Sequence, residues 1–80
     1  MEKAYNIKDI ILEEDYLILT VDDVTVKYKI SEISEKLFHA IESERNDYKV
    51  TPSGYGIHWR LLDEDLSING LLNSKTNNNI

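Results

Sequence analysis

An α+β fold follows from three features of this 80-residue chain. Short runs of alternating apolar residues occur before residue 31 and again around residue 57, as in strands with one buried face. Between them lies a single stretch whose apolar residues recur every fourth place, the period of a helix. Turn chemistry punctuates the strand runs at short intervals. The expected architecture is a small antiparallel sheet of about four to five strands with one main helix packed on one face. It occupies one domain over residues 1–72, and a disordered polar tail is expected over 73–80.

The first strand is expected over Tyr5–Leu12, on the β-branched content of Ile7, Ile10 and Ile11 and the Glu13-Glu14-Asp15 punctuation after it. In Tyr16–Val21, Leu17, Leu19 and Val21 share one face and Tyr16, Ile18 and Thr20 the other, so both faces are partly apolar and the strand is central or lies at an interface. Asp22 and Asp23 tolerate left-handed backbone and close a hairpin. Val24, Val26, Tyr28 and Ile30 then alternate with Thr25, Lys27 and Lys29, a half-buried strand with a wet basic face. Ser31 is placed as an N-cap, with Glu32 and Glu35 in the first turn. Ile33, Leu37 and Ile41 form the helical stripe and Glu32 and Lys36 an i,i+4 pair, while a break near Ala40 followed by a second short turn fits equally well. Thr51-Pro52-Ser53-Gly54-Tyr55-Gly56 demands turn geometry. Strict alternation from Tyr55 to Leu62 sends Ile57 and Trp59 inward and His58 and Arg60 outward, and Ser67 caps a short helical turn ending near Leu72.

Fifteen acidic residues against nine Lys plus Arg give a net charge of −6, which opposes contact with phosphate backbones, so direct nucleic-acid binding is not expected. The acids cluster at Glu13–Asp15, Asp22–Asp23 and Asp63–Asp65; such clusters steer basic protein partners, though solubility is their commoner role. No apolar run approaches the roughly 20 residues that span a bilayer. The start MEKAYNIKD lacks the apolar segment of a signal peptide, so the expected compartment is the cytoplasm, with no membrane partner. Without cysteine, disulfides, thiolate catalysis and Cys-containing zinc sites are excluded.

Functional residue types crowd into one segment, where Gly54, Gly56, His58, Trp59, Arg60, Asp63, Glu64 and Asp65 fall within twelve positions. If His58 faces away from Trp59 and the chain turns after Leu62, a carboxylate from Asp63 or Asp65 reaches the imidazole. His58 is then either a proton-transfer or ligand-binding group or, more commonly, a histidine that orders a strand end. Trp59, the single tryptophan, is expected as a packing anchor. Arg60 has the fork to hold a carboxylate bidentately, and on a strand it usually pairs with a neighbouring acid. The acidic triplet lacks calcium-loop spacing, His39 is poorly placed to share a metal with His58, and the SGYG glycines do not make a phosphate loop. No nucleophile with a positioned base is readable. Neither a metal nor a cofactor is expected.

The segment Ser43–Leu72, with GYGIHW, then DEDLS, then GLL, resembles the bacterial domain-of-unknown-function family 2442, and the likeness extends in layout over Tyr5–Leu72. The resemblance implies a small α+β domain. It also implies membership in pairs of small adjacent genes suspected of toxin–antitoxin-like behaviour; some relatives carry an appended helix-turn-helix, which is not expected here, where a polar tail follows Leu72. Family members usually follow the His-Trp pair with proline, where this chain has Arg60, a change expected to lengthen the strand. They often break the helix at Thr-Pro, where this chain has Ile41-Glu42.

The leading expectation is a non-enzymatic interaction module whose surface around Asp63–Asp65, His58 and Arg60 docks a basic protein. The alternative is a small-ligand-binding domain or minimal enzyme in which His58 acts with Asp63 or Asp65. A homodimer is a third expectation, because Tyr16 and Ile18 lie opposite Leu17 and Leu19.

Overall fold

The structure, a computed structural model, describes residues 5–77. Strands β1 (Ile7–Glu13), β2 (Tyr16–Val21) and β3 (Val24–Lys29) are followed by three one-turn helices, α1 (Ile30–Ile33), α2 (Glu35–Phe38) and α3 (Glu42–Arg45). Strand β4 (Tyr48–Val50), a 3-10 turn at Pro52–Gly54, strands β5 (Gly56–Trp59) and β6 (Glu64–Ser67) and helix α4 (Ile68–Asn77) complete the chain.

Local chemistry accounts for the hairpins. Asp22 and Asp23 join β2 to β3 with φ of 49° and 71°, so both central residues are left-handed, as a two-residue turn matched to strand twist requires. Glu14 (φ 50°) serves the β1–β2 turn and Asp63 (φ 50°) the β5–β6 turn. In β2 the buried and half-buried residues alternate strictly. Leu17, Leu19 and Val21 enter the core with Tyr28 of β3, while Thr25, Lys27 and Lys29 stay exposed, as their alternation implies.

The α+β class stands, but the strands form two three-stranded antiparallel sheets, β1-β2-β3 and β4-β5-β6, in place of one sheet of four to five strands. Edge strands β1 and β4 flank a common hollow lined by Ile7, Lys8, Asp9, Ile10, Tyr48 and Val50 without pairing. A register shift between Ile7 and Asp9 kinks β1 there, which disrupts the ladder a continuous sheet needs. The sixth strand comes from the acidic run itself: Glu64–Ser67 pairs with β5 although Leu66 is its only apolar residue.

The main helix is likewise divided. Ser34, at φ −161° and ψ 111°, is extended backbone between α1 and α2. Its Oγ accepts from the Leu37 N–H at 3.1 Å, capping α2, and donates to Glu64 Oε2 at 2.5 Å. Ser34 therefore does the capping assigned to Ser31, which lies inside α1. The interruption separates Glu32 from Lys36, whose ammonium instead donates to the Asp63 carbonyl at 3.1 Å. The second short turn is α3, opened by the Ile41 N–H bonding Glu44 Oε1 at 3.1 Å; Ile41 is exposed and leaves the apolar stripe.

Arg45 ties these pieces together. Its Nε and Nη2 donate to the Leu37 and Phe38 carbonyls at 3.0 and 3.1 Å, and its Nη1 to the Glu14 carbonyl at 2.5 Å. The guanidinium thus adds a second bond to the Leu37 carbonyl, which also accepts from the Ala40 N–H at 3.2 Å, holds the Phe38 carbonyl, and joins both to the β1–β2 turn. Its own carbonyl accepts from Trp59 Nε1 at 2.8 Å. Leu17 and Leu19 from the first sheet, Ile57 and Trp59 from the second, Leu37 of α2 and Ile68 and Leu71 of α4 form the common core. Ser67 caps α4 as its position implies, Oγ accepting from the Gly70 N–H at 3.1 Å. The helix runs on to Asn77 rather than stopping near Leu72, so 73–77 of the polar tail are helical, and 78–80 lie outside the described residues.

Candidate functional site

The candidate site is the outer face of the second sheet, and strand register builds it. Lys49 of β4, His58 of β5 and Asp65 of β6 stand directly opposite one another, so their side chains share one face. His58 Nδ1 lies 2.7 Å from Asp65 Oδ1, with the two side chains 39% and 74% exposed. At the same end of β5, Arg60 makes a two-point contact with Asp47, Nη2 to Oδ2 at 2.8 Å and Nε to Oδ1 at 3.2 Å. Asp47, Tyr48, Lys49, His58 and Arg60 surround an open depression of about 280 Å³.

The opposite face of β5 is dry. Trp59 is fully buried, tilted against Tyr48 with ring centroids 5.9 Å apart, and Ile57 is 1% exposed. Consecutive His58 and Trp59 therefore leave the strand on opposite sides, and Trp59 belongs to the core rather than to a docking surface. Arg60 does not lengthen β5: the strand ends at Trp59 and residues 60–63 form the turn into β6. Losing the strand here also leaves Leu61 about half exposed.

The acidic triplet separates. Asp65 meets His58; Glu64 turns to the other side, where Oε2 accepts from Ser34 and Oε1 from the Asp65 N–H at 3.1 Å. Asp63 sits at the tip of the turn with a left-handed backbone, its carbonyl bound by Lys36. Of the two acids expected to reach His58, the register selects Asp65. Gly54 and Gly56 have backbone roles. A Cβ on Gly54 (φ +67°) would stand 2.1 Å from the Tyr5 carbonyl oxygen, and one on Gly56 3.0 Å from that of Leu66. Sequence reasoning missed Asp47, Lys49, Ser34 and Arg45. Lys49 was recoverable by counting register outward from His58, and the Ser34 cap by its place three residues before Leu37, whereas Asp47, Arg45 and the bond from Ser34 to Glu64 act across contacts that no local pattern encodes.

Among the described residues, no group of three or more His, Asp or Glu side chains is disposed to hold a metal ion. No helix there is long and apolar enough to cross a membrane.

Two three-stranded antiparallel sheets, packed over a segmented helix with a His–Asp pair on an outer face, define a small α+β domain. Residues 7–77 match the family described as Protein of unknown function (DUF2442), and the chain belongs to that family. Its fold is similar to the crystal structure of a protein of unknown function from Rhodospirillum rubrum ATCC 11170, with a TM-score of 0.70 and 22% identity over 88% of this chain and 87% of that one. No curated protein matches the chain.

Proposed function

We propose that this chain is a non-enzymatic interaction module that docks a basic protein partner through the outer face of the second sheet, centred on His58 and Asp65 with Arg60 and Asp63 at its margin. The observation that carries the reading is the placement of the His58–Asp65 pair on the uncovered side of the strand whose other side anchors the core through Ile57 and Trp59. A rigid strand presents these groups already ordered, which lowers the cost of docking. The net charge of −6 steers a basic partner at long range. At contact, the face carries Asp47 and Asp65 paired with Arg60 and His58, beside Lys49, so discrimination comes from exchanging paired charges. A toxin–antitoxin-like pair is its most concrete form. Co-expression with the product of the adjacent gene should give a complex that is captured at low salt and weakened at high salt. His58→Ala and Asp65→Asn should each weaken capture roughly tenfold. Absence of any complex at low salt would count decisively against the reading.

The depression favours a second reading of the same face, a small-ligand site or minimal acid–base catalyst. Its volume of about 280 Å³ lies at the lower edge of ligand sites. Asp65 holds His58 by Nδ1, which makes Nε2 of the neutral ring the acceptor, while the neighbouring Lys49 ammonium and the Arg60 guanidinium, once exchanged from Asp47, are donors suited to a carboxylate or phosphate. Titration with acetate and with inorganic phosphate should then give saturable amide NMR shifts at Lys49 and His58; unmoved spectra at both residues dismiss it.

A further inference from the structure

The outer face of the first sheet, remote from the His58 face in sequence and built on different strands, carries a pattern that neither reading above uses. Register places its side chains in three rows: Glu13, Tyr16 and Lys29; Ile11, Ile18 and Lys27; Asp9, Thr20 and Thr25. Strand β1 therefore lines one margin with acids, β3 lines the other with lysines, and apolar groups run along the centre and one flank. Ile11 is 38% exposed there. The Lys27 ammonium lies 4.1 Å from the centre of the Tyr16 ring, and the Thr20 and Thr25 hydroxyls bond each other at 3.1 Å. The remaining charges are free to meet a partner across the face.

From this arrangement we infer that two copies of the chain associate through this face, about a two-fold axis parallel to β2. Such an axis turns one sheet over onto the other while keeping each row at its own level. It lays the acidic strand β1 of one copy over the lysine strand β3 of the other, twice per dimer, with Ile18 and Tyr16 meeting their own counterparts between. The alternative two-fold axis, across the strands, sets β1 on β1 and lysines on lysines, and is repelled. Charge complementarity thus selects a second copy as the occupant and fixes its orientation, the signature of an isologous contact. A three-stranded sheet is only about 14 Å wide, so the contact buries less than the roughly 800 Å² per partner of a standard interface. The dimer is accordingly weak, with a Kd in the micromolar range or above.

The test uses charge reversal in a form that a self-complementary face answers uniquely. Sedimentation equilibrium of the wild-type chain from about 10 μM to about 1 mM should show monomer passing to dimer. Lys27→Glu with Lys29→Glu makes both margins acidic; Asp9→Lys with Glu13→Lys makes both basic. Each double variant alone should associate at least about tenfold more weakly, and an equimolar mixture of the two should recover a heterodimer of wild-type strength. Amide NMR shifts of the wild-type chain on dilution, independent of any variant's folding, should localise to Ile11, Tyr16 and Ile18 and spare His58. A wild-type chain that stays monomeric throughout overturns the inference and leaves the lysines as protection of an edge strand. So does a dimer that persists in either double variant, folded variants that fail to recover association on mixing, or dilution shifts confined to the second sheet.

Discussion

At the residue scale, the glycines and the tryptophan of the GYGIHW segment are fixed by space rather than by chemistry. Gly54 combines a left-handed φ of +67° with a backbone approach that leaves a Cβ only 2.1 Å from the Tyr5 oxygen. Gly54→Ala therefore suffers twice, from conformational strain of about 1–2 kcal/mol and from displacement of the Tyr5 segment. A loss above about 2 kcal/mol is expected, a large part of the roughly 4–12 kcal/mol a domain of this size possesses. The control is Gly70→Ala, where the new Cβ meets Ser67 at an ordinary 3.5 Å inside α4; it should gain about 0.5–1 kcal/mol. Urea midpoints of the two variants moving in the same direction would contradict the assignment. Trp59 was legible as a core anchor because alternation alone put it beside Ile57. The glycine constraint was legible only as a turn, since the Tyr5 oxygen that enforces it comes from the other end of the chain.

Among the elements, the two hairpins built on Asp22-Asp23 and on residues 60–63 differ in how openly the sequence announced them. The first has apolar alternation on both sides of its turn. The second returns through Glu64–Ser67, where acids occupy strand positions because their side chains find specific partners, Ser34 for Glu64 and His58 for Asp65. The helix shows the same limit. A fourfold apolar period runs across Ile33, Leu37 and Ile41, but the Ser34 hydroxyl offers a competing pattern, capping forward to Leu37 while bonding Glu64 thirty residues away. Three one-turn helices are too short to persist unaided, so the Arg45 fork matters more than any propensity. Arg45→Lys keeps the charge and loses the geometry that reaches Leu37, Phe38 and Glu14 together. It should lower stability by about 1–2 kcal/mol. Hydrogen exchange should speed up across α2 and the Glu14 turn, and an unchanged exchange pattern would dispose of this strap.

For the whole molecule, stability at alkaline pH reports on the shared core. Tyr28 is 3% exposed, and burial raises its phenol above the ordinary value of 10.0. The unfolded chain releases that proton near pH 10 while the folded chain retains it, so the unfolded state binds fewer protons and stability falls as pH climbs from there toward the raised folded value. Below the unfolded value the contribution is complete. Urea midpoints measured near pH 9 and near pH 11 should fall more steeply for the wild-type chain than for Tyr28→Phe, and parallel declines would exclude Tyr28 as the source. What the sequence determined by itself was the identity of the strands around their turns, the buried side of β2, β3 and β5, and the divergence of His58 from Trp59. Each of these depends on neighbours one or two residues apart, where a period of two and a left-handed turn are written directly in residue type. Only the tertiary structure decided that the strands divide into two sheets, that the helix breaks at Ser34, and which acid meets which base. The first follows from the register shift in β1, and the other two rest on single polar contacts between separate segments, such as Ser34 with Glu64 across 30 positions; a hydrogen bond acts through the distance between two atoms, which the order of residues along the chain does not record.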